Sequence, residues 1–209
     1  MGLLLVWQWL EEKIMPLGAF KAALMGTAGV STGDVVLLAT TTASADSAIA
    51  FTSGIDSTYG TYIFKFYNMH PSADGADFDW QANASGESGY NETITSTAFH
   101  ASHTEGGSST FGYDGASDLA QGTGYQALMP YTGNDADMSF SGELHIFNPS
   151  STTYVTHFYS RATVYGQSDY SRILHIGGYI NTTAAITGIN FKYGSGNIDA
   201  GKIKLWGVK

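Results

Sequence analysis

MSFSGELHIFNPSSTTYVTHFYSRATV, residues Met138 to Val164, decides the fold class. Met138, Phe140, Leu144 and Ile146 fall on one side of a period-two pattern, and Ser139, Ser141, Glu143 and His145 on the other. Successive side chains of a strand point to opposite faces, so the pattern is that of a half-buried strand. Asn148, Pro149, Ser150 and Ser151 supply a turn, because Asn bonds its own backbone and Pro presets φ. Beyond it Tyr154, Thr156, Phe158 and Ser160 alternate with Val155, His157, Tyr159 and Arg161. The stretch is a long β-hairpin in a sheet that buries one face, and it carries no catalytic motif.

Outward from this hairpin the chain reads as strand after strand. Asp34 to Thr41 and Ala48 to Thr52 are short apolar runs, and Thr61 to Met69 is apolar on both faces, as a central strand requires. Phe78, Trp80, Ala82 and Ala84 alternate with Asp77, Asp79, Gln81 and Asn83, which predicts one wet face. Tyr90 to Ala101 is a long Thr-rich strand, and the Gly-, Ser- and Asp-rich Ser102 to Ala120 reads as an exposed excursion. Tyr125 to Met129 is a short edge strand stopped by Pro130. Ile173 to Ile180 and the face Thr187, Ile189, Phe191, Tyr193 follow. GSGN at Gly194 to Asn197 reverses the chain, and Ile203, Leu205 and Val208 close it with Lys202 and Lys204 outward. About ten strands without helical crossovers predict an all-β protein of two antiparallel sheets packed face to face. A jelly roll is the expected arrangement, with a generic β-sandwich as the alternative.

Composition agrees: Gly 26 and Tyr 13 with only 13% charged residues favour strands and turns over charged helices. At 209 residues the chain can bury one sizeable core. Without cysteine it has neither disulfides nor thiolate metal sites. A net charge of -9 with only nine Lys and Arg argues against nucleic acid and anionic lipid as partners.

Before the strands, residues 1–33 read as a helical assembly or docking segment and residues 34–209 as the sandwich domain. Leu3, Val6, Trp7, Leu10 and Ile14 form one apolar stripe up to Pro16, and Phe20 and Leu24 continue on a second helical pattern. This apolar surface either covers an open end of the sandwich or drives homo-oligomerisation, most simply as a trimer or another closed ring. The Leu3 to Leu10 run is too short to span a bilayer and lacks the features of a signal peptide, so no membrane insertion is expected.

The residues capable of chemistry do not assemble into a motif. His100, His103 and Glu105 in HASHTE are the best metal candidates, yet residues three apart on a strand face opposite sides. His145 and His157 lie at comparable distances from the hairpin turn and are expected as cross-strand neighbours. Asp74, Asp77 and Asp79 crowd one turn and Asn134, Asp135 and Asp137 another, without the spacing of a calcium loop. Gly29 to Gly33 matches the nucleophile-elbow string G-x-S-x-G, but a helix precedes it and a strand follows, the reverse of what that turn needs. No cofactor, resident metal or catalytic residue is assigned. Exposed aromatics suit sugar stacking, and Trp80, Tyr113 and Tyr125 are the candidates for it.

Four longer strings carry a family likeness: Phe51 to Pro71, Gly89 to Ala101, Gly142 to Ser160 and Ile180 to Val208, with Met15 to Gly26 as a similar start. They resemble small virion-associated proteins of tailed phages of marine bacteria, including cyanophages. The resemblance implies a non-enzymatic virion structural protein, a capsid decoration, tail or fibre component that partners itself and other virion proteins. Residues 2–14 depart from that pattern by adding an apolar segment before the usual start. A carbohydrate-binding module that attaches to a host surface glycan is the second expectation, and a glycan-cleaving enzyme the third.

Overall fold

In the computed structural model, residues 34–209 are described, and they form twelve antiparallel strands. The stripe Leu3, Val6, Trp7, Leu10, Ile14, Phe20 and Leu24 and the Gly29 to Gly33 string lie outside the described residues. The strands are β1 (Val35–Thr42), β2 (Ile49–Phe51), β3 (Thr61–Pro71), β4 (Ala76–Ala84), β5 (Ile94–Thr104), β6 (Ser109–Tyr113), β7 (Gln126–Thr132), β8 (Phe140–Phe147), β9 (Thr156–Gly166), β10 (Tyr170–Ile180), β11 (Ile186–Tyr193) and β12 (Ile198–Val208). Among the described residues no helix is long and apolar enough to cross a membrane.

The large layer runs β1-β12-β3-β8-β9-β10-β5-β6, and the small layer runs β2-β11-β4-β7. One pair, Thr132 with Gly166, joins β7 to β9, so a single sheet folds back on itself and nearly closes. The reason for the fold-back lies in the alternation. Tyr62, Phe64 and Phe66 of β3 and Phe140, Leu144 and Ile146 of β8 turn inward, as do Phe78 and Trp80 of β4 and Ile189 and Phe191 of β11. Phe191 packs edge-on against Phe64 at 5.1 Å and Phe66 at 5.2 Å, while Phe78 meets Phe140 at 4.8 Å across the layers. Tilted and edge-on contacts between rings add to the stabilisation from burying them.

The hairpin of residues 138–164 is present, and its loop is longer than the Asn148 to Ser151 turn, because β8 ends at Phe147 and β9 begins at Thr156. His145 therefore faces Tyr159, and His157 faces Phe147. The two histidines share a face but are offset by two residues rather than directly opposite. Three further expectations are corrected. The excursion of residues 102–120 contains β6, which pairs with β5, and then tucks Asp114 and Ser117 into buried positions. Pro130 lies inside β7, where an edge strand with little pairing on its far side tolerates the missing N–H. The outer face of β4 is not wet at Gln81, which is buried with its Nε2 on the carbonyl oxygens of Glu92 at 3.0 Å and Gly124 at 2.8 Å. Two connections thus cover the small layer, one of them pinned where Glu92 Oε1 accepts the Ala84 N–H at 2.8 Å.

Candidate functional site

The large layer covers the core with one face and leaves the other open. Its register aligns outward side chains into rungs that cross the strands. Lys204 of β12 faces Lys65 of β3, Lys65 faces Glu143 of β8, and Glu143 faces Arg161 of β9. Arg161 then faces His175 of β10, His175 faces Phe99 of β5, and Phe99 faces Tyr113 of β6. Directly opposed residues put their side chains on the same side, so this rung changes from basic to aromatic across the sheet. A parallel rung runs Trp206, Ile63, His145, Tyr159.

Ring contacts stiffen the aromatic end. His175 stacks on Phe99 at 5.0 Å, Tyr159 stacks on His145 at 4.4 Å, and Phe147 leans on Tyr159 at 5.7 Å. Phe111, 76% exposed, and Tyr113, 63% exposed, stand at the β6 edge. Large apolar side chains on an open sheet face are the uncommon feature here, since sheets normally keep such surface inside.

Electrostatics centre on Glu143. Its carboxylate accepts a hydrogen bond from Arg161 at 3.0 Å and lies 3.9 Å from the Lys65 ammonium. His145 Nε2 is 3.5 Å from Glu143, close enough for attraction but without hydrogen-bond geometry. Burial pushes the His145 imidazole below its ordinary 6.5, against the pull of Glu143, so the ring is neutral at pH 7.

Two shallow depressions lie along this face. One of ≈ 340 Å³ is lined by Lys65, Tyr67, Glu143 and Arg161, and one of ≈ 530 Å³ by Glu105, Ser139, Tyr165 and Tyr170; both touch Ser141 and Thr163. In the larger, the Tyr165 hydroxyl meets Asp169 at 3.1 Å and Glu105 at 3.5 Å. Asp169 holds the phenol proton and pushes that hydroxyl up to about 12, which leaves it a donor rather than a nucleophile. Both carboxylates are exposed, so nothing gives one the apolar surroundings that distinguish a general acid from a base.

The stacking candidates are scattered by the fold. Trp80 is 0% exposed and packs edge-on against Phe158 at 4.9 Å, so its ring offers no face to a ligand, and that expectation is corrected. Tyr125 is half-buried outside the small layer, its hydroxyl donating to Asn190 at 2.9 Å and its ring 4.1 Å under the Lys192 ammonium. Tyr113 alone lies on the open face, with its hydroxyl bonded to Asp118.

His100 and His103 occupy opposite faces of β5. His100 Nδ1 is 3.5 Å from Asp114, which also bonds the buried Arg172. The turns carrying Asp74 and Asn134 meet, the Asn134 N–H pointing at Asp74 Oδ1 at 3.4 Å. Even so, among the described residues no group of three or more His, Asp or Glu is arranged to hold a metal ion. Sequence reasoning missed the rungs because each member comes from a different strand. The outward parity of Lys202 and Lys204 was the one local signal. Comparison with protein-family models, curated proteins and solved structures finds no match for this chain.

Proposed function

We propose that this protein is a non-enzymatic jelly-roll module of a phage particle, a capsid decoration, tail or fibre component. The observation that carries the fold part is the nesting of strand pairs. β1 pairs with β12 and β2 with β11, then β3 with β8 and β4 with β7, as in a hairpin ribbon wrapped into two layers. A jelly roll is such a double sheet of about eight strands. On this reading the remaining four strands are two insertions, β5-β6 between β4 and β7, and β9-β10 between β8 and β11. The insertions pair with each other through β10 and β5 and widen one layer.

The virion assignment rests on the four strings that resemble marine phage proteins, together with an acidic, cysteine-free composition suited to display. Self-association as a trimer is assigned to the apolar stripe of residues 3–24 on its sequence pattern. Immunogold labelling of purified particles of the encoding phage tests the assignment, with regular labelling expected and unlabelled particles refuting it. Light scattering after deletion of residues 2–25 tests the trimer, which is refuted if the oligomer persists.

A second reading, a carbohydrate-binding module for host attachment, is favoured by the exposed aromatics Phe99, Tyr113 and Tyr159 of two rungs on the open face. Silence of the assembled protein on a glycan array would rule it out.

A further inference from the structure

The basic end of the long rung contains an arrangement that folding alone does not favour. Lys204 and Lys65 are directly opposed on neighbouring strands, and like charges so placed are destabilising. Glu143 sits 3.9 Å from Lys65, but Lys204 and Lys202 make no ion pair among the described residues. The Lys204 ammonium instead lies 5.5 Å above the ring of Tyr67. With Arg161 these lysines put four cations on one face of a chain whose net charge is -9.

Backbone irregularity shapes the spot they surround. The register between β3 and β12 slips between Ala200 and Lys202, and Asn68 adopts φ 47 at the slip. Gly201 opposite has φ 123, and a Cβ there would lie 2.8 Å from the Asn68 carbonyl oxygen. Only glycine fits this approach without strain. A bulge of this kind re-aims side chains, and here Tyr67 and Asn68 both point outward. The result is a depression of ≈ 430 Å³ lined by Tyr67, Asn68, Ala200, Gly201, Lys202 and Lys204, without a carboxylate. It meets the depression holding Lys65 and Arg161 at Tyr67.

We propose that Lys65, Lys202 and Lys204 around Tyr67 bind an anionic polysaccharide, one bearing carboxylate or sulfate groups. The proposal deepens the carbohydrate-binding reading and rests on it. Lysines supply point charges to the anionic groups, and Tyr67, 42% exposed, supplies an aromatic surface for a sugar ring. Charge density selects the polysaccharide over nucleic acid. A duplex carries one charge per about 1.7 Å and would be repelled by the rest of an acidic protein, whereas a saccharide bears at most a few charges per ring and needs only a local patch.

The test is a titration of the full-length protein at about 0.15 M salt with polygalacturonate, dextran sulfate, neutral dextran and single-stranded DNA. At least one of the two anionic polysaccharides is expected to bind about tenfold or more tighter than dextran, and which one does so identifies the acidic group. K202E/K204E is expected to lose at least about tenfold, Y67A to weaken the same binding, and K209E to leave it unchanged. Thermal melts of each variant keep loss of binding separate from loss of fold. Equal binding of dextran would overturn the proposal while leaving the carbohydrate-binding reading standing, and binding of none of the glycans would end both. Binding of DNA as tight as that of the polysaccharide, or an unaltered Y67A, would reduce the site to undirected charge attraction and overturn it.

Discussion

Replacing Asp79 with Asn should stabilise the protein, and increasingly so as pH rises from about 4 to about 7. Asp79 lies on the outer side of β4, opposite Lys192 of β11. The ammonium that register would pair with it sits 4.1 Å over the Tyr125 ring instead, and no Asp79–Lys192 ion pair forms among the described residues. Burial, then the neighbouring charge of Asp77, outweighs Lys192 and pushes the Asp79 carboxyl up from 3.8 to about 7. The folded state thus holds this proton more tightly than the unfolded chain does. Its contribution to stability is present at low pH and is lost as pH climbs from about 4 through about 7. Ionising such a group at pH 8 costs on the order of 4 kcal/mol if no water reaches it. Asp79 is partly exposed, and screening brings the figure to about 2 kcal/mol. D79N mimics the protonated acid, so urea unfolding should show a gain of about 2 kcal/mol at pH 8 that shrinks below about pH 7 and is almost gone at about pH 4. Equal destabilisation at both pH values would mean that the carboxylate is ionised and bound to Lys192, and the reasoning fails.

Three further outcomes concern buried and half-buried groups. Asp114→Ala leaves the buried Arg172 without its partner and should cost about 3–5 kcal/mol, whereas a D114A/R172M double variant should recover most of that in the same unfolding assay. Trp80→Ala removes a ring with no exposure and should cost about 3–5 kcal/mol; a change under about 1 kcal/mol would contradict its core position. His145 has the opposite pH sign to Asp79: its imidazole titrates below 6.5 in the folded state, so the unfolded chain takes up protons first and stability falls as pH drops through 6.5. H145Q should flatten that fall in melts between pH 7 and 5, and an unchanged slope would place the ring in solvent.

What the sequence made legible was what short-range alternation encodes. The β8 and β9 faces, the inward Phe78 and Trp80, and the outward Lys202 and Lys204 follow from a period of two and survive in three dimensions. The same alternation already argued that Trp80 is a core residue, and choosing it for sugar stacking set aside its own pattern. β6 escaped notice because its five residues, STFGY, show no buried side; it exists by pairing with β5. Gln81 looked solvated because the segments that cover it, around Glu92 and Gly124, are distant in sequence. The long rung was illegible for the same reason. Lys65, Glu143, Arg161 and Lys204 meet only once five registers are fixed, and register between remote strands leaves no local trace.

The last of the twelve described strands in chain order is also the one that holds the large layer together. β12 lies between β1 and β3, so until Ile198–Val208 has been synthesised the edge of β3 and the inward rings of Phe64 and Phe66 have no neighbour on that side. Pairing of such long separation is slow to form and leaves sticky edges exposed meanwhile. The large layer is therefore closed by a clasp that emerges after its other strands. Ribosome-stalled chains lacking β12 should be cut readily by protease, and chains extended past Val208 by a flexible linker should resist; protection that arises before β12 emerges would show that the layer closes without it.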